Sequence, residues 1–413
     1  MVYETDNTRL PLDKLAFLAT GRSSEMFEDD LRKSSGDIRD RIAGRRILVL
    51  GGAGSIGSST VDMLSQFGPA SIHVVDQNEN ALAELVRDLR SRPGGLQVAD
   101  FQTLPIDCGS SVMNRFIASQ APYDVVLNFA ALKHVRSEKD ICSLLQMFDT
   151  NVLKPMKVWA WTQQRGPAPQ YFSVSTDKAA DPANLMGASK QLMERAMFSS
   201  SLAAAPRVTS SRFANVAFSS GSLLESFLRR LEKRQPLVSP RNTHRFFISL
   251  REAGQICLLA AVSGPDHHIV IPRLEAETDT RQLSEIAIAF LQWKGLEPEI
   301  YEDEEAARAN VGRELLRNRY PLLLTELDTA GEKDSEIFVG RGEEAVEYGM
   351  ASLLAVKPLP IDEGELFDFL KDIESLITDP HAAADKSRIV DLVSRVVPQF
   401  RHFASDKHLD QRM

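Results

Sequence analysis

The residues best able to move protons lie together in one stretch, STDKAADPANLMGASK, which runs from Ser175 to Lys190. Asp177 can donate or accept a proton through its carboxyl group, and Lys178 can act as a base when its ammonium group has lost a proton. The stretch ends in Lys190, four positions after Met186, whose thioether has no proton to exchange. It therefore fits an enzyme whose acid–base groups lie beside the methionine, or a protein that has lost its chemistry.

Short apolar runs alternate with helical patterns and place this stretch at the edge of a sheet. Such alternation predicts an α/β fold, a Rossmann-type doubly wound parallel sheet with helices on both faces. Ligands of these sheets bind beyond the carboxyl ends of the strands, which is where Thr176, Asp177 and Lys178 should lie. The apolar runs are RRILVLG (45–51), SIHVV (71–75), YDVVLN (123–128), YFSVS (171–175) and VTSSR (208–212).

A glycine-rich turn, GGAGSIG (51–57), follows the first strand and opens a helix. Gly51 permits the tight turn, Gly54 lets a pyrophosphate approach the backbone, and Gly57 lets the helix pack close to the strand. The first backbone N–H groups of the helix, at Ser55 and Ile56, would then face the phosphates. The turn and its position predict a dinucleotide-binding site.

Three further positions complete the predicted dinucleotide site. Asp76 ends the second strand, where a carboxylate accepts both ribose hydroxyls and repels a 2′-phosphate. Asp107 fits either an adenine contact or a helix N-cap, and Ala130 belongs to a turn of small residues close to the dinucleotide. The predicted cofactor is NAD or NADP. NAD is favoured because of Asp76, whereas NADP stays open because Asn78 and Arg87 can accommodate a phosphate.

The bulk composition excludes several classes of protein. The chain has 413 residues and a formal net charge of −9, without a basic block, so we predict no nucleic-acid partner. No stretch approaches the ~18 apolar residues of a membrane span, and the acidic N-terminus has no apolar signal core. The three cysteines lie far apart, which argues against a metal site or a disulfide framework. We therefore expect a cytoplasmic protein.

Changes in the pattern divide the chain into four predicted regions. Residues 1–44 should form a helical arm, and residues 45–215 the NAD(P)-binding Rossmann domain with the acid–base stretch. Residues 216–345 follow a more varied pattern and are assigned to substrate binding. Residues 346–413 form a predicted helical C-terminal extension whose apolar positions suit packing on another surface.

The chain resembles the extended short-chain dehydrogenase/reductases and, within them, the nucleotide-sugar dehydratases of polysaccharide biosynthesis, typified by UDP-N-acetylglucosamine 4,6-dehydratases. In this family the place of Met186 holds tyrosine in some members and methionine in others, so Met186 does not exclude an enzyme. AALKHV, STDKA and MGASK are far more specific than the glycine turn. The resemblance rests on GGAGSIG (51–57), AALKHV (130–135), TN (150–151), STDKAADPANLMGASK (175–190), RFANV (212–216), SSGSLLESFLRR (219–230), HRFFISLREA (244–253) and DTAGEKDSEIF (328–338).

The resemblance implies the chemistry of a 4,6-dehydratase, which passes hydride from carbon 4 of a sugar to nicotinamide and returns it to carbon 6 with loss of water. The Asp-Lys pair is that of the carbon-5-inverting members, with Asp177 as acid at carbon 6 and Lys178 as base at carbon 5. Lys178 then needs a lowered pKa. Lys190 should bind the nicotinamide ribose, and the 4-hydroxyl proton should leave through Thr176, Asp177 or water, with Thr176 favoured. Met186 should pack against sugar or nicotinamide, or serve as a core residue.

The same resemblance assigns the substrate contacts. Lys133 should lie near the reacting sugar. Asn215 and Arg245 should hold the diphosphate or sugar, because the planar guanidinium fork suits phosphate oxygens. Glu252 fits a ribose or uracil contact, or alternatively an acidic residue at a helix start. Two departures from the family pattern are NVAFSSGS, with Phe218 and Ser220 in place of a glycine and an arginine, and RSEKD (136–140), where relatives have proline.

We therefore predict an NAD(P)-dependent 4,6-dehydratase of a nucleotide-linked N-acetylhexosamine, most simply UDP-N-acetylglucosamine, which forms a homo-oligomer. Two alternatives remain open at this stage. A nucleotide-sugar epimerase needs the same cofactor and lysine but retains the water, and a catalytically silent NAD-binding regulatory subunit needs only the dinucleotide site. The retained Asp177-Lys178 pair argues against the silent protein.

Overall fold

The computed structural model describes residues 10–202, 204–326 and 336–402. The strands of this part are β1 (Arg46–Leu50), β2 (Ser71–Val75), β3 (Asp100–Leu104), β4 (Val125–Asn128), β5 (Gln170–Val174), β6 (Val208–Ser211), β7 (Asn215–Val216), β8 (Leu237–Pro240), β9 (His244–Ile248), β10 (His268–Pro272), β11 (Thr280–Gln282), β12 (Glu297–Tyr301), β13 (Arg319–Thr325), β14 (Glu344–Val346) and β15 (Leu353–Lys357). The helices are α1 (Leu10–Thr20), α2 (Glu28–Ile42), α3 (Ser55–Leu64), α4 (Glu79–Ser91), α5 (Ser111–Ser119), α6 (Ile141–Phe148), α7 (Lys154–Gln163), α8 (Leu185–Met197), α9 (Leu223–Glu232), α10 (Leu250–Ser263), α11 (Ala276–Asp279), α12 (Leu283–Trp293), α13 (Glu304–Leu315), α14 (Glu363–Thr378) and α15 (Lys386–Val396).

A nine-stranded sheet forms the centre of the fold, in the order β14-β15-β10-β6-β5-β4-β1-β2-β3. The seven strands from β10 to β3 pair in parallel, and β15 and β14 continue the sheet as antiparallel strands beyond β10. The chain reverses its direction of travel across the sheet between β1 and β4, where doubly wound sheets open a ligand crevice. The predicted α/β doubly wound sheet is confirmed.

Two three-stranded sheets lie outside the main sheet and come from the region assigned to substrate binding. Their orders are β11-β9-β7 and β12-β13-β8. Helices α9 and α12 pack on them around Phe227, Phe290 and Tyr320, which are fully buried. The main sheet also takes β10 from this region and β15 from the C-terminal extension, because β10 pairs in parallel with β6 and β15 pairs with β10.

The N-terminal arm is helical over its described residues and packs on the main body. Phe27, Ile38 and Ile42 of this arm lie in the same apolar cluster as the residues of β1 and α10. Asp30 of α2 accepts hydrogen bonds from the backbone N–H groups of Ala351 and Ser352 at 2.8 and 2.7 Å. The arm is thus anchored to the segment that leads into β15.

The helical part of the C-terminal extension begins at Glu363. Its two helices, α14 and α15, pack through Phe369, Ile373, Ile389 and Val393 on a face formed by α6 and α8. This C-terminal cover, α14 and α15 together, buries one side of the helix that carries the MGASK sequence. Among the helices that the structure describes, none has the length and apolar character needed to cross a membrane.

Candidate active site

The glycine turn between β1 and α3 fits a dinucleotide closely. Gly51 has a φ of +66°, and a Cβ atom there would lie 2.5 Å from the backbone nitrogen of Ala130. A Cβ atom at Gly57 would lie 2.6 Å from the carbonyl oxygen of Gly51. Gly54 is the N-cap of α3, and a Cβ atom there would meet only the carbonyl oxygen of Gly51, at 3.4 Å, so a phosphate can approach the start of the helix.

Asp76 lies directly after β2 and holds the glycine turn in place. One carboxylate oxygen accepts the N–H of Ala53 at 3.1 Å, and the other accepts the N–H of Asn78 at 3.0 Å. A carboxylate has about four acceptor sites, so Asp76 can still accept ribose hydroxyls. The side chain of Asn78 caps α4, and Arg87 pairs with Glu84.

The other two predicted dinucleotide contacts lie at the same edge of the sheet. The carboxylate of Asp107 accepts the ammonium group of Lys154 at 2.6 Å and the N–H of Gly109 at 2.8 Å, so it orders the turn before α5. The N-cap of α5 is Ser110, which leaves the adenine contact as the open prediction for Asp107. Ala130 donates its N–H to Asn128 at 3.1 Å in the turn after β4.

The acid–base residues follow β5 in a single 3-10 turn, Asp177–Ala179. Thr176 donates its hydroxyl hydrogen to the Oδ1 atom of Asp177 across 2.7 Å. The ammonium group of Lys178 lies 3.4 Å from the same oxygen. The Asp177 side chain is 6% exposed whereas that of Lys178 is 38% exposed, so the carboxylate is fixed and the lysine reaches the crevice.

Lys190 is buried on α8, and no carboxylate of the described residues lies within hydrogen-bond distance of its ammonium group. Its residue exposure is 4%, and its ammonium group lies 3.3 Å from the sulfur of Met193. Burial lowers the pKa of Lys190 to about 8, and the charge of Glu194 opposes this only in part. A buried ammonium group with a sulfur acceptor is poorly satisfied, so it is well suited to bind ligand hydroxyl groups.

Met186 is a core residue, which is one of the two places that the sequence allowed for it. Its exposure is 2%, and it belongs to the apolar cluster shared by α6, α8, α14 and α15. Its backbone N–H donates to the Oε1 atom of Glu138 at 2.9 Å. Glu138 comes from the RSEKD departure, and its other oxygen lies 3.8 Å from Lys386 and 3.6 Å from His402.

Asn151 fastens the AALKHV turn to α8. Its side-chain oxygen accepts the N–H of Leu132 at 2.8 Å, and its Nδ2 atom donates to the carbonyl of Leu132 at 3.0 Å and to Ser189 at 2.9 Å. The residue lies in a single π-helical turn, Asp149–Leu153, a conformation that is frequent at functional sites. The turn after β4 is therefore held at a fixed distance from the MGASK helix.

The NVAFSSGS segment, which departs from the family pattern, connects the start of α3 to the turn after β4 through Ser220. Ser220 bonds the hydroxyl of Ser55 at 3.0 Å through its N–H, and its carbonyl oxygen accepts the ammonium group of Lys133 at 2.8 Å. Phe218 has a φ of +56°, the conformation that glycine adopts without strain, and its ring packs on Phe290. Lys133 thus connects the turn after β4 to Ser220, and its contact with the sugar remains a prediction.

Asn215 and Arg245 meet on a buried carboxylate that the sequence analysis did not identify. Asn215 donates its Nδ2 hydrogen to the Oε1 atom of Glu336 at 2.7 Å, and the Nε atom of Arg245 lies 3.5 Å from the same oxygen. The Glu336 side chain is 5% exposed. Burial raises the pKa of this carboxyl group, and the negative charge of Asp177 adds to the rise. Glu336 belongs to the DTAGEKDSEIF motif, which the sequence analysis identified, but the sequence did not predict that Glu336 contacts Asn215.

Glu252 has a structural role instead of the predicted ribose or uracil contact. It completes a capping box at the start of α10, where Ser249 donates its N–H at 2.7 Å. Arg22 donates to both carboxylate oxygens at 3.1 and 2.6 Å, and the N–H of Met26 adds a bond at 2.8 Å. Four donors leave the carboxylate no acceptor site for a substrate. Glu252 instead anchors the N-terminal arm.

The fold and this arrangement of residues define a Rossmann-type α/β protein with a glycine-rich turn and a group of polar residues at the carboxyl edge of the sheet. A family described as "Polysaccharide biosynthesis protein" matches residues 47–339, and the chain belongs to that family. An uncharacterised membrane protein of Methanocaldococcus jannaschii is 33% identical over 271 residues, which cover 64% of this chain and 77% of the relative. The chain spans only 39% of the length of the probable polysaccharide biosynthesis protein EpsC of Bacillus subtilis, to which it is 28% identical over 57% of its own length.

The relatives with named activities include dehydratases and epimerases. The UDP-N-acetylglucosamine 4,6-dehydratase (inverting) of Campylobacter jejuni serotype O:2 is 23% identical, over 76% of this chain and 83% of the relative. The UDP-glucose 4-epimerase of Rickettsia massiliae is 28% identical, over 57% of this chain and 67% of the relative. Among solved structures, Pen from Bacillus thuringiensis shares the fold with a TM-score of 0.61 at 20% identity, over 77% of this chain and 89% of that chain.

Proposed function

We propose that the protein is an NAD(P)-dependent 4,6-dehydratase that acts on a nucleotide-linked N-acetylhexosamine, most simply UDP-N-acetylglucosamine, and inverts carbon 5. The observation that carries the proposal is the buried carboxylate of Asp177, which is bonded to Thr176 and lies beside the partly exposed ammonium group of Lys178. A protein that only binds a dinucleotide has no need of this pair at the carboxyl end of β5. The inverting relative from Campylobacter jejuni supports the substrate class.

The residues that surround the dinucleotide site fit a nicotinamide cofactor. Gly54 leaves the start of α3 open to a pyrophosphate, Asp76 retains acceptor sites for ribose hydroxyls, and Lys190 is a buried donor in need of an oxygen acceptor. We favour NAD over NADP because the side-chain oxygen of Asn78 is used in capping α4 and Arg87 is paired with Glu84. When bound, a nicotinamide supplies a hydride acceptor at carbon 4 of the sugar and a hydride donor at carbon 6.

The acid–base residues divide the remaining proton transfers between them. Thr176 is placed to pass the 4-hydroxyl proton to the Oδ1 atom of Asp177, to which it already donates a hydrogen bond. Asp177 then returns this proton to the carbon 6 hydroxyl, which leaves as water. Lys178, in its neutral form, removes the carbon 5 proton and later delivers a proton to carbon 5. Each proton that leaves the sugar is thereby accounted for.

A nucleotide-sugar epimerase is the second candidate, favoured by the similarity to the Rickettsia massiliae epimerase. An epimerase needs a group for the 4-hydroxyl proton and no acid at carbon 6. Thr176 and Asp177 meet the first requirement, whereas Lys178 would have no carbon acid to deprotonate in a 4-epimerase. The Lys178 side chain therefore distinguishes the two candidates.

The test is to incubate the purified protein with UDP-N-acetylglucosamine and, in parallel, with GDP- and CDP-linked sugars, and to measure product mass. We expect one of them to lose one water, with at least a 100-fold slower reaction in Lys178→Ala and an unchanged rate in the exposed-lysine control Lys233→Ala. An isomer of unchanged mass, formed equally by Lys178→Ala, would establish the epimerase. No product from any sugar, despite bound dinucleotide, would point to a silent subunit.

A further inference from the structure

One buried carboxylate oxygen near the acid–base residues has no hydrogen-bond partner among the described residues. It is the Oε2 atom of Glu336. The other oxygen of this side chain, Oε1, is held by Asn215 and Arg245. Leaving a buried acceptor unpaired is costly, and more so when the group is charged, so a folded protein retains such a group where a ligand can satisfy it.

Two groups of candidate site residues lie near Glu336. Its Oε1 atom is contacted by Arg245, which the resemblance assigns to the diphosphate, and by Asn215, which it assigns to the diphosphate or the sugar. Burial raises the pKa of the Glu336 carboxyl group, and Asp177 is near enough for its negative charge to add to the rise. In a nucleotide sugar, carbons 2 and 3 connect carbon 1, which carries the diphosphate, to carbon 4 on one side of the ring, and the ring oxygen connects carbon 1 to carbon 5 on the other; of these connecting atoms, only carbons 2 and 3 carry hydrogen-bond donors.

We propose that Glu336 is a specificity-determining residue whose Oε2 atom accepts a hydrogen bond from a donor on the sugar ring, between the diphosphate and the reacting carbons. This inference rests on the proposed function and names the part of the substrate that the site selects. Asn215 and Arg245 fix Oε1 and thereby fix the direction of Oε2. Carbons 2 and 3 of an N-acetylhexosamine carry an amide N–H and a hydroxyl, which are both donors.

A carboxylate near a diphosphate has a second, opposite effect on binding. Its negative charge repels the phosphate groups, so Glu336 should weaken the binding of the nucleotide alone while it strengthens the binding of the complete nucleotide sugar. A residue with a merely structural role would not separate the two ligands in this way. The sign of each effect therefore distinguishes sugar recognition from support of the fold.

The test is the isosteric substitution Glu336→Gln, with calorimetric titration of UDP and of UDP-N-acetylglucosamine into the dinucleotide-loaded protein. The amide oxygen can keep the bonds to Asn215 and Arg245, while the amide nitrogen replaces the free acceptor with a donor. We expect about a 10- to 100-fold weaker affinity for the nucleotide sugar, as for the loss of a charged hydrogen bond. UDP affinity should stay within threefold or increase. Glu347→Gln, at an exposed carboxylate, should change neither affinity.

Other outcomes overturn the inference. If the affinities for both ligands fell equally, Glu336 would only orient Arg245 and Asn215. If neither affinity changed, Glu336 would not be part of the binding site. If the melting temperature of Glu336→Gln is more than about 5 °C below that of the wild type, the titrations are repeated with Glu336→Asp. The inference then requires the same result, a weaker affinity for the nucleotide sugar without a weaker affinity for UDP. If the wild-type protein binds UDP but no UDP-linked sugar, the proposed function fails first, so the two failures remain distinct.

Discussion

Thr176 and Asp177 are joined by a 2.7 Å hydrogen bond in which the threonine hydroxyl is the donor and the carboxylate the acceptor. The bond runs between adjacent residues at the end of β5, and the same carboxylate oxygen faces the Lys178 ammonium group at 3.4 Å. Two polar groups thus converge on one oxygen atom of a buried side chain. In the proposed mechanism, this oxygen accepts the proton that the thioether of Met186 cannot carry.

The first prediction concerns that route. Thr176→Val keeps the side-chain shape but removes the hydroxyl, so we expect kcat for water loss to fall about 10- to 100-fold, within the range of general acid–base contributions. KM should stay within threefold, because the hydroxyl acts on the reaction and not on binding. Thr176→Ser retains the donor and should keep at least a third of the activity. Equal activity in both variants would move the proton route to water or Asp177 alone.

The second prediction follows from the burial of Lys190, which holds its pKa at about 8 in place of 10.5. Between these values the unfolded chain binds more protons than the folded one, so the stability of the dinucleotide-free protein should rise with pH from about 8 to 10.5. Below pH 8, burial of the charged Lys190 side chain lowers the free energy of unfolding by its full amount, at most about 3 kcal/mol. Lys190→Met should therefore be more stable than wild type at pH 7 in urea unfolding, and the difference should shrink towards pH 10.

A matched substitution controls for the change in hydrophobicity. Lys357→Met, at an exposed position on β15, removes the same charge without removing a buried ammonium group, so its stability difference should be small and independent of pH between 7 and 10. Lys190→Met should also lose dinucleotide affinity and activity. A pH-independent gain at Lys190 would show that desolvation of the ammonium group is not its source.

The third prediction concerns Met186, which is enclosed by the C-terminal cover. Met186→Leu conserves volume and polarity, so the cost should be below about 1.5 kcal/mol with most of the activity retained. Met186→Tyr places a larger ring with a hydroxyl in an apolar cluster, so we expect a loss of about 1–3 kcal/mol and no gain in rate. Higher activity in the tyrosine variant would mean that position 186 faces the substrate.

The fourth prediction concerns a buried charge network that ties β6 to the segment before β14. Arg212 is fully buried and donates to Glu194 and to Glu343, with contacts of 2.6 Å to each. Removing one partner of a buried network leaves unpaired charges, so Arg212→Met should destabilise the protein by about 3–5 kcal/mol. Arg229→Met breaks an exposed pair with Glu225 and should cost below about 1 kcal/mol in the same urea titration.

The fifth prediction concerns the choice of dinucleotide. Asp76→Ser removes the charge that would repel a 2′-phosphate and weakens the contact to ribose hydroxyls, so the NAD/NADP affinity ratio should fall about 10-fold or more. The comparison of both dinucleotides within one variant cancels any general loosening of the turn at Ala53. An unchanged ratio would show that Asp76 only supports the glycine turn.

Local sequence patterns were sufficient to predict strands of the main sheet and the residues that follow these strands. The predicted apolar run at 71–75 coincides with β2, because it has its own apolar period and its own end signal. Thr176, Asp177 and Lys178 were placed correctly after β5 for the same reason. Contacts between distant segments were not accessible: no local pattern shows that Arg22 occupies Glu252 or that Glu336 lies beside Asn215.

The two departures from the family pattern also involve contacts between distant segments, which local sequence patterns do not predict. Ser220 was noted for the arginine it replaces, whereas the structure gives it bonds to Ser55 and Lys133. The RSEKD segment (136–140) was noted because relatives have proline there, whereas the structure shows that its Glu138 accepts the N–H of Met186. A substitution in one segment can be interpreted only when its partner segment is known. The partners here lie far along the chain.

The C-terminal cover also determines how the protein would respond to partial proteolysis. A cut between β15 and α14 would separate α14 and α15 from the residues they cover, and the uncovered surface would include Leu192 and Phe148, which are fully buried in the intact chain. A broad apolar surface of this kind promotes aggregation. Cleaved molecules should therefore aggregate although their catalytic residues are unchanged. Cleavage should thus lower the amount of soluble protein and leave the activity per soluble molecule unchanged.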